Sequence, residues 1–143
     1  MDTNILLRLA QPNHAMHQAA VSAIITLRRQ QTTLFIIPQN LIEFWAAATR
    51  PLTVNGLGMS TTGAAKELAR MKSFFALQPD LSEIFTVWEL LVVKYQVLGK
   101  QTHDTRLVAA MLAHQISHLL TFNTDDFKRF AEITAIDPRH IAV

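Results

Sequence analysis

The sequence predicts an α/β fold with a central, mainly parallel sheet. Three observations predict it. Four short apolar runs, residues 34–37, 74–77, 119–122 and 133–136, have the length and the β-branched or aromatic content of strands. Longer stretches with helical spacing of apolar residues separate them, and strand–helix alternation implies parallel pairing. Proline, glycine and asparagine fall between the runs, where chain reversals are needed.

The elements follow in order. Residues 4–30 read as helical with a break near Gln11-Pro12-Asn13, and the second half puts Ala20, Ile24 and Leu27 on one face. Leu34-Phe35-Ile36-Ile37 is an unbroken apolar run, the pattern of a strand covered on both faces. Pro38 ends it, and a helix over 39–49 follows. Residues 51–58, containing Asn55-Gly56, form a turn or exposed loop. Ser60 offers a cap for a helix through Ala64, Leu68 and Met71. After the second strand, Leu81-Ser82 opens a helix that runs past Tyr95 to a stop at Gly99. The next helix spans 102–116 with Thr102 as its expected cap. A short helical turn at 126–130 separates the last two strands.

At 143 residues the chain suits a single domain, 1–143, with a real core. Half of it is apolar and 17% is charged, which excludes a disordered chain. The absence of cysteine excludes disulfide frameworks and thiolate metal sites, and fits a cytoplasmic location. Thirteen Lys and Arg against eleven Asp and Glu leave +2, with no basic stripe of the kind a purely electrostatic nucleic-acid binder carries. The apolar run at 34–37 is far too short to span a bilayer, so no membrane association is expected.

The acids carry the chemical signal. Asp2, Glu43, Asp104 and the pair Asp125-Asp126 are far apart in sequence, and each sits in apolar surroundings. A carboxylate so placed is costly unless a cation meets it. Several gathered together suit a hard divalent metal, and carboxylate-held metals serve phosphodiester hydrolysis. Asp104 heads a helical stripe with Leu107, Val108, Met111 and Leu112, so it shares the inward face. Plainer roles exist for each acid taken alone. Asp2, Asp104 and Asp126 are placed as helix caps or dipole partners, and Glu43 as an ion-pair partner of Arg50. His114 and His118, four apart, read as a helix terminus rather than a metal pair. His103 reads as a surface residue. Trp45, Trp88 and Tyr95 have core spacing, which argues against base stacking. No phosphate-binding glycine loop and no activated serine or cysteine is present.

Taken in order, these segments resemble the PIN domain, particularly the VapC-type ribonuclease toxins of toxin–antitoxin pairs. The resemblance rests on Asp2-Thr3-Asn4 before an apolar run, Glu43 early in a helix after a strand, and residues 99–104 before an alanine-rich helix. Residues 120–127 and Ile136-Asp137-Pro138 complete it. It covers nearly the whole chain and implies a three-layer α/β/α architecture. In this chain the first central strand is truncated, because only Met1 precedes Asp2, and a start a few codons upstream would restore it. The resemblance further implies Mg²⁺ or Mn²⁺ held by Asp2, Glu43 and Asp104. Asp126 is the fourth acid or its support, Asn123 lies in the pocket, and Asn4 and Thr121 orient ligands or water. The implied activity is hydrolysis of RNA to 5′-phosphate and 3′-hydroxyl ends. Arg8, Arg50, Lys100 and Arg106 are the cations nearest the acids in sequence and the candidates for guiding RNA. The implied partners are a cognate antitoxin and a second copy in a homodimer. Two rivals stand beside this reading: a catalytically weakened PIN-like module that retains its antitoxin or RNA partner, and an unrelated α/β protein whose acids are ordinary caps.

Overall fold

The computed structural model describes residues 1–142. Helices α1 (Thr3–Leu9) and α2 (His17–Arg29) open the chain, followed by strand β1 (Phe35–Ile36) and helix α3 (Pro38–Thr49). Helix α4 (Thr61–Phe74), strand β2 (Ala76–Leu77) and helices α5 (Glu83–Lys94) and α6 (Gln101–Ala113) come next. Strand β3 (His118–Leu120), a 3-10 turn at Thr124–Phe127, strand β4 (Thr134–Ile136) and a last 3-10 turn at Pro138–His140 complete it. The fold is mixed α/β, with six α-helices among the described residues. No helix among them is long and apolar enough to cross a membrane.

Both strand pairings are parallel, β1 with β2 and β3 with β4, as strand–helix alternation requires. They do not form one continuous sheet; each pair stands as a two-stranded unit. Met1 and Asp2 lie between the two units and join them. The Met1 α-ammonium donates to the Phe35 carbonyl at 2.9 Å, and the Asp2 amide donates to the Leu120 carbonyl at 2.9 Å. Two residues thus occupy the place of a strand between β1 and β3. Beside Met1 lies a groove of about 320 Å³, lined by Leu34, Phe35, Ser117, His118 and Leu120 among others.

Consecutive strand residues enter different cores, because side chains alternate across a strand. Ile36 and Leu120 pack with Ile5, Leu6, Ile24, Phe44 and Met71, from α1, α2, α3 and α4. Ile37 and Leu119 pack with Ile84, Leu91, Val108 and Met111, from α5 and α6. The run 34–37 and β3 are covered on both faces, as the unbroken apolar pattern indicates, whereas both residues of β2 are exposed.

Local chemistry explains most element boundaries. Pro38 starts α3, where its missing N–H removes no hydrogen bond. Asn40 Oδ1 accepts from the Ile37 amide at 2.9 Å and secures the same turn. Ser60 caps α4 by accepting from the Gly63 amide at 3.0 Å. Several boundaries differ from expectation: Phe74 ends α4 instead of opening β2, and the 3-10 turn lies at Thr124–Phe127 rather than 126–130. Helix α5 ends before Gln96 rather than at Gly99, and α6 ends before Gln115 rather than at Ile116. Gln31, Gln96 and Gln115 all take left-handed φ of 50–60°, and the following amide bonds back five residues in each case. That is a Schellman closure built on glutamine where glycine is usual. Thr102 does not cap α6; its hydroxyl donates to the Gly99 carbonyl at 2.8 Å, and the helix begins one residue earlier. His118 lies in β3, not at a helix end, and so makes no helical pair with His114.

Candidate functional site

The carboxyl ends of β1 and β3, with Asp2 between them, form one corner of the molecule. Ligands in α/β proteins bind beyond this end of the strands.

Asp2 is 9% exposed and held on both oxygens. Its Oδ1 accepts from the Thr3 amide at 2.7 Å, which also makes it the N-cap of α1. Its Oδ2 accepts from the buried Thr121 hydroxyl at 2.7 Å and from the Asn4 amide at 3.1 Å. Asn4 also donates to the Thr121 hydroxyl at 3.2 Å, and that hydroxyl accepts from the Asn123 amide at 3.0 Å. A residue next to the chain terminus is therefore fixed from the loop after β3. Burial raises the Asp2 pKa, opposed by its bonds from Thr121 and Thr3, with the Glu43 charge adding to the rise. The neighbouring α-ammonium is turned to Phe35 rather than to the Asp2 carboxylate. Burial depresses its pKa to about 6 against the pull of Asp2.

Glu43 stands on the second turn of α3 and makes no pair with Arg50. Its Oε2 accepts from the Thr3 hydroxyl at 2.8 Å, and its Oε1 accepts from the Gln39 amide at 2.8 Å. Asn40, 1% exposed, donates to the same Thr3 hydroxyl at 3.3 Å. Thr3 thus links α1 to Asn40 and Glu43 of α3.

Asp104 lies on the first turn of α6, half-buried above Leu107 and Val108. Its pKa is pushed up to about 7, first by burial and then by the charges of Asp2, Asp126 and Glu43, with Arg129 pulling the other way. The structure therefore brings Asp2, Glu43 and Asp126, all distant in sequence, close enough to Asp104 for their charges to raise its pKa. Among the described residues no lysine or arginine forms an ion pair with any of the four. Asp125 is separate: it pairs with Lys128 at 2.5 Å on the surface.

The remaining sequence candidates divide. Asn123 and Asp126 are exposed, near the rim of the acidic corner. Arg106 reaches the site indirectly, donating to Gln39 at 3.1 Å and to Asp80 at 3.2 Å. Lys100 is exposed just ahead of α6. Arg50 follows the carboxyl end of α3, roughly 10 Å along the axis from Glu43 at 1.5 Å per residue. Arg8 is occupied with Gln11 at 2.7 Å, near the carboxyl end of α1 and away from Asp2. The sequence reading missed Gln39, Thr3, Asn40 and Arg129. Gln39 could have been found from its spacing, four residues before Glu43 on one helix face.

The donor set suits a hard divalent cation in two respects: all its charged groups are carboxylates, and among the described residues no lysine or arginine forms an ion pair with them. Among the described residues, however, no three His, Asp or Glu side chains converge in metal-holding geometry. Hydrogen bonds to Thr3, Thr121, Asn4 and Gln39 hold Asp2 and Glu43 in their present orientations. No protein-family model matches this chain, and no curated protein matches it either.

Proposed function

We propose that the chain is a Mg²⁺- or Mn²⁺-dependent endoribonuclease of the PIN type. The observation that carries this reading is the gathering of Asp2, Glu43 and Asp126 about Asp104 at the carboxyl ends of the strands, with no lysine or arginine ion-paired to any of them among the described residues. A group of like charges is held together at a cost in stability, and such costs concentrate at functional sites. Apolar side chains leaving both faces of β1 and β3 support the three-layer α/β/α arrangement. The toxin role, the antitoxin partner, the homodimer and the cytoplasmic location rest on the sequence resemblance.

In this reading Asp2, Glu43 and Asp104 hold the metal. The bound metal offsets phosphate charge and lowers the pKa of water for in-line attack on phosphorus. Thr121, Asn4 and the Thr3 amide fix the Asp2 carboxylate, while Thr3 and Gln39 fix that of Glu43. Asp126 adds a fourth negative charge at the rim, and Asn123 offers its amide there. Arg106 and Arg129 attract the RNA backbone beside the acids.

A binding module that keeps its RNA or antitoxin partner without cleaving is the second reading. It is favoured by the lack of convergence of three ligating side chains among the described residues. Mn²⁺-dependent cleavage of single-stranded RNA, sensitive to Asp104→Asn, separates the two.

A further inference from the structure

Beside the acidic corner, α5 and α6 enclose a pocket of about 380 Å³ lined by Ile84, Phe85, Trp88, Thr102, His103 and Arg106 among others. Its size is that of a small-ligand site. Two aromatic rings form one wall. Phe85 is 63% exposed, and its ring lies 5.6 Å from that of Trp88 at a 31° tilt. Trp88 is only half-buried, contrary to a simple core role, and its indole N–H donates to the Thr102 carbonyl at 2.9 Å. That bond ties the indole to the start of α6, two residues before Asp104. The lining also includes Arg106, whose bonds to Gln39 and Asp80 use two of its five guanidinium donors.

One side chain connects this pocket to the acids. The Gln39 amide donates to Glu43 at 2.8 Å and to the His103 carbonyl at 2.8 Å, while its Oε1 accepts from Arg106. An apolar aromatic face, a cation and an acidic corner thus lie in sequence along one surface. Unpaired bases stack on aromatic faces, and guanidinium groups meet the adjoining phosphates.

We propose that the Phe85–Trp88 wall is a subsite for one unstacked base of single-stranded RNA, with Arg106 on the adjoining phosphate. It rests on the ribonuclease reading for its substrate class and extends that reading from the acids to the strand they would cut. Asp80, paired with Arg106 at 3.2 Å, gives up that pair when phosphate arrives.

The test uses the full chain carrying Trp45→Phe, so that Trp88 is the only indole, without added metal. An eight-nucleotide oligoadenylate is titrated against tryptophan emission. The proposal expects quenching of Trp88, with apparent affinity lowered about tenfold by Phe85→Ala, in line with the cost of losing one stacked base. Phe85→Leu is expected to lose affinity likewise, because it keeps apolar area but has no ring face, and Phe85→Tyr to restore it. Arg106→Gln is expected to weaken binding and flatten its salt dependence. Absence of quenching overturns the proposal. So does quenching indifferent to Phe85→Ala, or a Phe85→Ala defect confined to self-association in sedimentation. Mn²⁺-dependent hydrolysis of bis(p-nitrophenyl) phosphate, which has no base to stack, reads the acids separately. Hydrolysis without quenching removes the subsite and keeps the ribonuclease; quenching without hydrolysis keeps the subsite and removes the catalytic reading.

Discussion

The Thr121 hydroxyl donates to the Asp2 carboxylate at 2.7 Å, joining residues 119 positions apart. Both are buried, and the same hydroxyl accepts from Asn4 and from the Asn123 amide. The bond places an acid next to the chain terminus in the same corner as Glu43 and Asp104.

Thr121→Val removes this hydroxyl at nearly constant volume. It deprives Asp2 of its shortest side-chain donor and leaves the Asn123 amide short of a partner. Unfolding free energy is expected to fall by about 1–3 kcal/mol, the cost of leaving a buried polar group unmatched. Urea denaturation measures it, and Mn²⁺ affinity is expected to fall in the same variant. An unchanged urea midpoint would show that Asp2 is held without Thr121.

Asp104 makes stability depend on pH in an unusual direction. Its pKa rises from 3.8 to about 7 on folding, so between these values the folded chain binds more protons than the unfolded one. Stability from this group therefore falls as pH rises through that window. The buried Met1 ammonium, lowered from 8.0 to about 6, has the opposite slope over its own window. The difference between wild type and Asp104→Asn isolates the carboxyl. The variant is expected to be more stable above pH 7, by about 1–3 kcal/mol allowing for residual solvent access. The gain fades to nothing near pH 4. A difference independent of pH would contradict the crowding of the acids.

Asp137 behaves in the ordinary direction. Arg139 donates to both its oxygens, and the Arg139 amide adds a bond at 2.8 Å, so its pKa lies below 3.8. Its contribution is present above pH 3.8 and is lost as pH falls through the depressed value. Asp137→Asn is expected to lower the thermal midpoint at neutral pH and to match wild type near the foot of the acid transition. Calorimetry across pH checks this, and equal losses at all pH values would point to the 3-10 turn alone.

The groove between β1 and β3 predicts the effect of an added strand. Met1 and Asp2 already bond to both sides, and strand edges left unpaired gain by pairing. Four alternating apolar residues fused ahead of Met1 are expected to raise the thermal midpoint by several degrees, about 1–3 kcal/mol, while a Gly-Ser extension does not. Equal midpoints for the two fusions would mean that the groove does not accept a strand.

Although the run 74–77 is shared between the end of α4 and β2, the approximate places of β1, β3 and β4 and the start of α3 were legible because apolar runs and Pro38 act locally. So was the inward stripe below Asp104, since helical periodicity needs only one segment. The ends of α5 and α6 were not, because glutamine supplies the left-handed residue that glycine normally marks. The acids could be seen, but not what holds them. Thr3 and Asn40 are neutral residues whose roles arise from contacts across 37 to 40 positions, whereas Gln39 holds Glu43 from four positions away. Asp2 was legible as a helix cap, but the bond from Thr121 is invisible in sequence. Trp88 has core spacing, yet an indole can fit that spacing and still show an open face.

The most direct test is Mn²⁺-dependent cleavage of a single-stranded RNA by the purified chain, alongside Asp104→Asn and Glu43→Gln. Circular dichroism and thermal unfolding establish that both variants are folded. Cleavage that requires Mn²⁺, yields 5′-phosphate ends and falls at least about a hundredfold in both variants is the predicted result, the scale expected when a metal ligand or its support is lost. Absence of metal-dependent cleavage by the wild-type chain, or equal cleavage by folded Asp104→Asn, would contradict the account.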